Sequence, residues 1–339
     1  MAQTIRLGIV GCGGIVNLFH LPAIRRVREI ELVAVADLRF ANAAERAPYD
    51  VPLIVTDYAD LYGKIDAALV SLPHALHSSA CIDLLSHGIH VLVEKPMATS
   101  VEEAQAMIRI ARDRRVNLAV GLMRRFYDNM LYAKRVVDTG RFGPVTYFEA
   151  EESVPFHQAQ ASSFYVDRRD PGAGVLFDTG AHMLDVLLWW MGPVHEVKYW
   201  DDQRGGVEAN CRLELEFASG ARGHVELSRM RQFKNQIQIH LRDATLTIPT
   251  LDQQTLTVYD RLTGTNLQVK PDPAMVLLDE NPWVGYFARQ WSDFACAILE
   301  GRPPAVPGEE GIRALELIEQ CRQVRQALPT RAWEDFDEP

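Results

Sequence analysis

Ile5-Arg-Leu-Gly-Ile-Val10-Gly11-Cys12-Gly13-Gly14-Ile15-Val16 is an apolar, β-branched run that breaks into glycine. The run reads as a buried strand, and the glycines as a turn into a helix. The pattern is G-x-G-x-x-V. Gly11 suits the tight turn, and Gly13 lets the backbone approach a pyrophosphate. Val16 stands where a third glycine would ease helix–strand packing. Gly14 and Ile15 open the helix, whose unpaired N–H groups and dipole favour an anion. The next apolar run, Glu31–Ala36, ends at Asp37, about 24 residues beyond Gly13. An acid there binds the ribose hydroxyls of NAD and repels the 2′-phosphate of NADP. Arg39 can accommodate that phosphate instead, so NAD is the expected cofactor and NADP stays open.

Working outward, Ala67–Ser71, His90–Val93 and Asn117–Val120 also read as strands. Helical stretches near 15–28, 77–87 and 101–115 separate them. Ser100-Val-Glu-Glu103 fits a capping box at the start of the last. Alternating strand and helix implies a doubly wound parallel sheet. After about residue 143 the pattern changes. Val145–Glu151, Val194–Trp200, Cys211–Phe217, Arg222–Leu227, Gln236–Leu241, Thr245–Ile248, Thr255–Tyr259 and Leu267–Lys270 read as strands. Several alternate apolar and polar residues, which implies a mainly antiparallel sheet with one wetter face. Helices near 283–300 and 309–327 close the chain. The expected fold is therefore an α/β Rossmann domain over 1–122 followed by an α+β domain over 123–339. The second domain has an open sheet with helices on one face, and its C-terminal helix is free to pack back on the first. An open sheet is expected to leave a broad apolar face, hence a homodimer or homotetramer.

The whole chain has 339 residues, enough for about two domains. It carries 35 Lys+Arg against 45 Asp+Glu, a formal charge of −10. That balance argues against sequence-independent nucleic-acid binding and against docking on anionic membranes. Apolar residues at 47% and charged residues at 24% are globular values. No run approaches the ~20 apolar residues of a membrane span. No secretory signal is visible at the N-terminus. The five cysteines are widely spaced without C-x-x-C, so neither a disulfide framework nor a zinc knuckle is expected. A cytoplasmic protein with free thiols is the expectation.

Three further motifs follow the glycine turn. They are Ser71-Leu-Pro73-His74-Ala-Leu-His77, His90-Val-Leu-Val-Glu94-Lys95-Pro96, and Gly172-Ala-Gly174-Val-Leu-Phe-Asp178-Thr-Gly-Ala-His182-Met-Leu-Asp185. Together they resemble the glucose–fructose oxidoreductase / myo-inositol dehydrogenase (Gfo/Idh/MocA) family. The likeness runs to about residue 192 and includes Arg124-Arg125-Phe126; beyond that only the architecture fits. It implies an NAD(P)-dependent oxidoreductase acting on a small sugar, cyclitol or polyol. It further implies that Ser71, Pro73, His77, Glu94, Lys95 and Arg125 line the cofactor groove, with Arg124 a rival for Arg125. Lys95 would contact the reacting hydroxyl, and the Lys95–Pro96 bond would be cis.

Those residues suit that chemistry. Lys95 ends a strand at the carboxyl edge of the sheet, where ligands bind in open α/β folds. Its cation would stabilise a developing alkoxide. Asp178 and His182, four apart, would share one helix face. His182 is the candidate general base, since an imidazole suits proton transfer near neutrality. Asp178 would orient the substrate or hold the His182 tautomer. Gly172 and Gly174 permit a tight approach to that helix. Asp and His at this spacing can also bind zinc, but no third ligand is evident, so no metal is expected. The aromatic stretch from Val154-Pro-Phe-His157 to Phe164-Tyr165 is a candidate sugar-facing wall. Two other readings stay open. One is a non-catalytic NAD(P)-binding sensor. The other is an enzyme that uses tightly bound NAD for transient oxidation during elimination or glycoside cleavage.

Overall fold

The computed structural model describes residues 4–39, 51–154, 173–203, 207–270 and 281–329. In chain order the elements begin with β1 (Ile5–Val10), a π-helical turn (Val16–His20), α1 (Leu21–Ile24), β2 (Ile30–Ala36) and β3 (Leu53–Val55). There follow β4 (Ala67–Val70), α2 (His77–Ser86), β5 (His90–Val93), α3 (Val101–Arg114), β6 (Leu118–Val120) and α4 (Asp128–Thr139). Next come β7 (Val145–Ser153), a second π-helical turn (Leu176–Gly180), α5 (Ala181–Met191), β8 (Val194–Asp201), β9 (Asn210–Phe217) and β10 (Arg222–Ser228). The chain continues with β11 (Gln236–Leu241), β12 (Ala244–Pro249), β13 (Leu256–Asp260), β14 (Thr265–Val269), α6 (Pro282–Glu300), α7 (Gly308–Gln323) and β15 (Arg325–Ala327). They form two compact units: Met1–Phe126 with Ala274–Ile312, and Tyr127–Pro273 with Arg313–Pro339. Among the described residues no helix is long and apolar enough to cross a membrane.

The first unit holds a six-stranded sheet in the order β3-β2-β1-β4-β5-β6, parallel throughout. Leu7 to Val10 and all of β4 are buried, as expected for strands covered on both faces. The strand order reverses between β1 and β4, which opens a crevice at their carboxyl ends. Gly11 and Ser71 stand there. The Ser71 N–H donates to Val10 O at 2.9 Å, and the Gly11 N–H to Ala36 O at 2.9 Å. At Gly11 φ is +93°, and a Cβ would lie 2.2 Å from Ser71 O. Both the backbone angle and the close approach therefore require glycine. Helix α3 starts on a variant of the expected capping box. The Ser100 hydroxyl accepts from the Glu103 N–H at 3.2 Å, but Glu103 Oε2 accepts from the Thr99 N–H at 3.0 Å instead of from Ser100. Helix α6 buries Tyr286, Phe287, Trp291 and Phe294 in this unit. Phe287 stacks on Phe19 at 5.3 Å between ring centroids.

The second unit holds a nine-stranded sheet in the order β14-β13-β12-β11-β7-β10-β9-β8-β15. It is mixed: β7–β10 and β8–β15 are parallel, and the other pairs are antiparallel. The segment expected to continue a helix to residue 327 instead leaves α7 at Gln323 and pairs as β15. Burial alternates strictly along β9, with Cys211, Leu213, Leu215 and Phe217 inward. The opposite face is not the broad apolar surface expected. It is polar, with Arg212 bonded to Glu226 at 2.8 Å and Arg222 to Glu216 at 3.0 Å. Along β9 and β10 every second residue turns to this face, and those residues (Arg212, Glu214, Glu216, Arg222, His224 and Glu226) are charged or polar.

Candidate active site

In the first unit the glycine turn is open where a ligand would need it to be. Gly13 and Gly14 are exposed, and a Cβ on either would meet no atom within 4 Å. No neighbour in the protein demands glycine at these two positions. The open backbone is a cradle that side chains would fill, and it fits a dinucleotide pyrophosphate. Val16 is fully buried beneath it, and Ile15 is exposed. Asp37 supports the turn directly. One carboxylate oxygen accepts from the Cys12 N–H at 2.8 Å and the other from the Arg39 N–H at 2.8 Å. The carboxylate thereby ties the end of β2 to the glycine turn. Arg39 itself is exposed. Contrasting outcomes are expected for two alanines. Gly11→Ala loses about 1–3 kcal/mol from backbone strain, plus the clash with Ser71. Gly13→Ala keeps the native melting temperature but weakens NAD binding by steric exclusion. Thermal melts and isothermal titration with NAD separate the two effects.

Around the β4 and β5 ends, Ser71 is half-buried and Pro73 exposed, whereas His77 is fully buried. The two His77 ring nitrogens face Pro96 O at 2.9 Å and Leu72 O at 2.8 Å. This ring braces the Ser71–Pro73 loop against the Lys95–Pro96 turn, so any part it plays at a cofactor runs through that loop. The Lys95–Pro96 peptide is cis, as the resemblance implies. Lys95 is half-buried; Glu94 beside it is buried. Glu94 Oε1 pairs with His20 Nε2 at 2.8 Å, and Oε2 accepts from the Lys95 N–H at 3.1 Å. Burial raises the Glu94 carboxyl, but the His20 hydrogen bond and nearby positive charge carry it below the ordinary glutamate range. Arg124 and Arg125 are both buried. Arg125 donates through both terminal nitrogens to Glu310 Oε2, each at 3.1 Å. That pair anchors the turn Met123–Phe126 within this unit.

The second unit carries Asp178 and His182. Gly172 and the aromatic stretch from Pro155 to Tyr165 lie outside the described residues. Gly174 has φ +104°, and a Cβ there would sit 2.1 Å from Glu208 Oε1. The buried Glu208 occupies that space and accepts from the Leu176 N–H at 3.1 Å, satisfying a donor at the start of the helix. Burial pushes its carboxyl above the usual range. Asp178 lies in the π-helical turn, one element before His182 on α5. The two are thus not on a regular α-helical face as expected, since a π turn widens the local winding; such turns recur at functional sites. Both side chains are half-buried.

Sequence reasoning missed two residues here. Arg229, just past β10, donates from Nη2 to Asp178 Oδ2 at 3.2 Å and to Gly174 O at 3.2 Å. Its side chain is only 5% exposed. The guanidinium thus fixes both Asp178 and the turn that carries it. His20 is the other, and it stands against Glu94. No local pattern marks either residue.

These features define a dinucleotide-type Rossmann unit joined in one chain to an open-sheet α+β unit. A family model described as "Oxidoreductase family, NAD-binding Rossmann fold" matches residues 5–122. The companion "GFO/IDH/MocA C-terminal domain" matches residues 130–247, so the two together cover well over half the chain. The chain belongs to the Gfo/Idh/MocA family. An uncharacterised oxidoreductase of Schizosaccharomyces pombe is 28% identical over 57% of this chain and 54% of its own length. The chain thus spans only about half of that relative. The UDP-N-acetylglucosamine 3-dehydrogenase of Acidithiobacillus ferrooxidans is 27% identical over 96% of this chain and 99% of its own. Among solved structures, levoglucosan dehydrogenase in complex with NADH and levoglucosan superposes with a TM-score of 0.86 at 18% identity, covering 95% of this chain and 97% of that one. The last likeness is one of fold.

Proposed function

We propose that this protein is an NAD-dependent oxidoreductase that moves a hydride between nicotinamide and a carbinol carbon of a sugar, cyclitol or related polyol. The observation that carries the reading is the fixing of Asp178 by the buried Arg229, in the turn that leads into His182. A ligand sensor has no need of a proton-transfer histidine four residues after a fixed carboxylate. Gly11, Gly13, Gly14 and Ile15 would hold the pyrophosphate, and Asp37 the ribose hydroxyls. Ser71 and Pro73 would border the same groove. NAD, when bound, supplies the hydride acceptor.

The chain's own residues would do the rest. Lys95 donates a hydrogen bond to the reacting oxygen and stabilises the negative charge that builds there. His182 takes the hydroxyl proton as the C–H hydride departs and a carbonyl forms; in reduction it returns that proton. Asp178 holds a neighbouring hydroxyl so that the carbinol is correctly turned. The likeness to a UDP-N-acetylglucosamine 3-dehydrogenase supports a carbohydrate substrate.

The test follows nicotinamide absorbance with NAD and a panel of myo-inositol, levoglucosan, D-glucose and UDP-N-acetylglucosamine. At least one should be oxidised, and Lys95→Met should lower that rate by about 10²–10³-fold. Unimpaired turnover by Lys95→Met would remove the lysine from the chemistry. NAD that co-purifies and turns over without net reduction would favour transient oxidation instead.

A further inference from the structure

Three side chains from separate elements of the first unit form a continuous hydrogen-bonded line that ends at Lys95. Trp291, on α6, has an indole N–H that can only donate, and it meets His20 Nδ1 at 3.1 Å. His20 Nδ1 therefore accepts, and the ring proton sits on Nε2. That N–H points at Glu94 Oε1 at 2.8 Å. Glu94 Oε2 in turn accepts the backbone N–H of Lys95 at 3.1 Å. Nothing in the line is loose. His20 and Trp291 are both fully buried, and Glu94 is 7% exposed. The edge of Phe287 holds the His20 ring, with centroids 4.7 Å apart. A Cβ at Gly121 would stand 3.0 Å from Glu94 Oε1, so glycine at this position leaves the carboxylate its place.

We infer that His20 and Trp291 are positioning residues for the reaction: through the Glu94 carboxylate they fix the backbone at Lys95 and hence the aim of its ammonium group. The inference rests on the reading of Lys95 as the group that polarises the reacting oxygen. Stability alone does not call for such a line. A buried carboxylate costs desolvation, and apolar residues of similar shape are often as stable or more so. What apolar residues could not supply is an oriented acceptor for the Lys95 N–H. Trp291 matters because its donor satisfies Nδ1 and seats the ring in the tautomer that Glu94 requires. Without its donor, His20 Nδ1 is left without a partner, and the ring that carries the Nε2–H to Glu94 is held at one end only.

The test uses the full chain with Trp291→Phe, His20→Leu, His20→Gln and Lys95→Met. Nitrogen-15 NMR of histidine-labelled protein should show His20 protonated on Nε2 alone. In Trp291→Phe and His20→Leu, the Lys95 amide proton should move upfield as its bond to Glu94 weakens. This arm needs no substrate. With the fastest panel member, the same two variants should lose about tenfold to hundredfold in kcat at little change in KM for NAD. His20→Gln, whose amide N–H can still reach Glu94, should recover most of kcat. Overturning results are an Nδ1-protonated His20, an unmoved Lys95 amide, or kcat within twofold of native in every His20 and Trp291 variant while only the melting temperature falls. If Lys95→Met retains turnover although the amide moves as expected, the lysine reading itself has failed and the positioning inference goes with it.

Discussion

His182→Asn lowers kcat by about 10²–10⁴-fold, because it removes the group that exchanges the substrate proton while leaving the dinucleotide turn untouched. The size follows from the usual contribution of a placed general acid or base. Asparagine keeps a polar side chain of similar bulk, so the folded state should survive. His182 is half-buried at the start of α5, not part of the fully buried set that carries the core. NAD affinity, measured by titration, should stay native, since the cradle at Gly13 and Gly14 belongs to the other unit. Two further signatures separate lost proton transfer from lost shape. The acid limb of kcat/KM that belongs to this histidine should vanish, and imidazole added to the buffer should restore part of the rate. A variant that keeps native kcat would hand the proton-transfer role to another group.

How much of this was legible in the sequence depends on how local each feature is. Strand β1 and the glycine turn were readable because a strand buried on both faces is a continuous apolar run, and because a left-handed turn selects glycine at once. His90–Val93 was read to the residue for the same reason. Helix α4 was missed. Only Asn129, Met130 and Ala133 are buried along it, too thin a stripe to show as a period. Its anchor is Asn129, whose side-chain amide donates to Pro249 O and Asp252 O, more than a hundred residues away. The three residues of β15, Arg325-Gln-Ala327, have no β-branched member and become a strand only because β8 offers an edge. The site divides along the same line. Asp37 is legible as a partner of the turn because it ends the strand next to β1 and reaches the Cys12 N–H. His20 and Arg229 were not, because their partners lie 74 and 51 residues away and are matched only in three dimensions.

Arg229→Leu is the severest test of that second kind of feature. The substitution strips a cation that is 5% exposed and leaves Asp178, 21% exposed, beside an apolar side chain. Breaking a buried pair by removing one partner costs about 3–5 kcal/mol. Little solvent reaches the guanidinium, so screening should spare most of that figure. The variant should melt well below the native protein. Asp178→Asn in the same background should recover part of the loss, because it removes the charge left without its cation. A double-mutant cycle then gives the coupling directly, and additive losses would show that the pair contributes nothing as a pair. Catalysis supplies the second arm. Arg229 also donates to Gly174 O, so it holds the backbone of the turn as well as the carboxylate. Arg229→Lys keeps the charge, but its ammonium rides on a shorter, flexible stem and does not set a donor where Nη2 serves both acceptors. That variant should therefore stay closer to native in stability than Arg229→Leu, yet show a raised KM for the polyol because Asp178 no longer presents a fixed carboxylate. Native KM in a stable Arg229→Lys protein would confine Arg229 to folding and leave Asp178 to be oriented by other contacts.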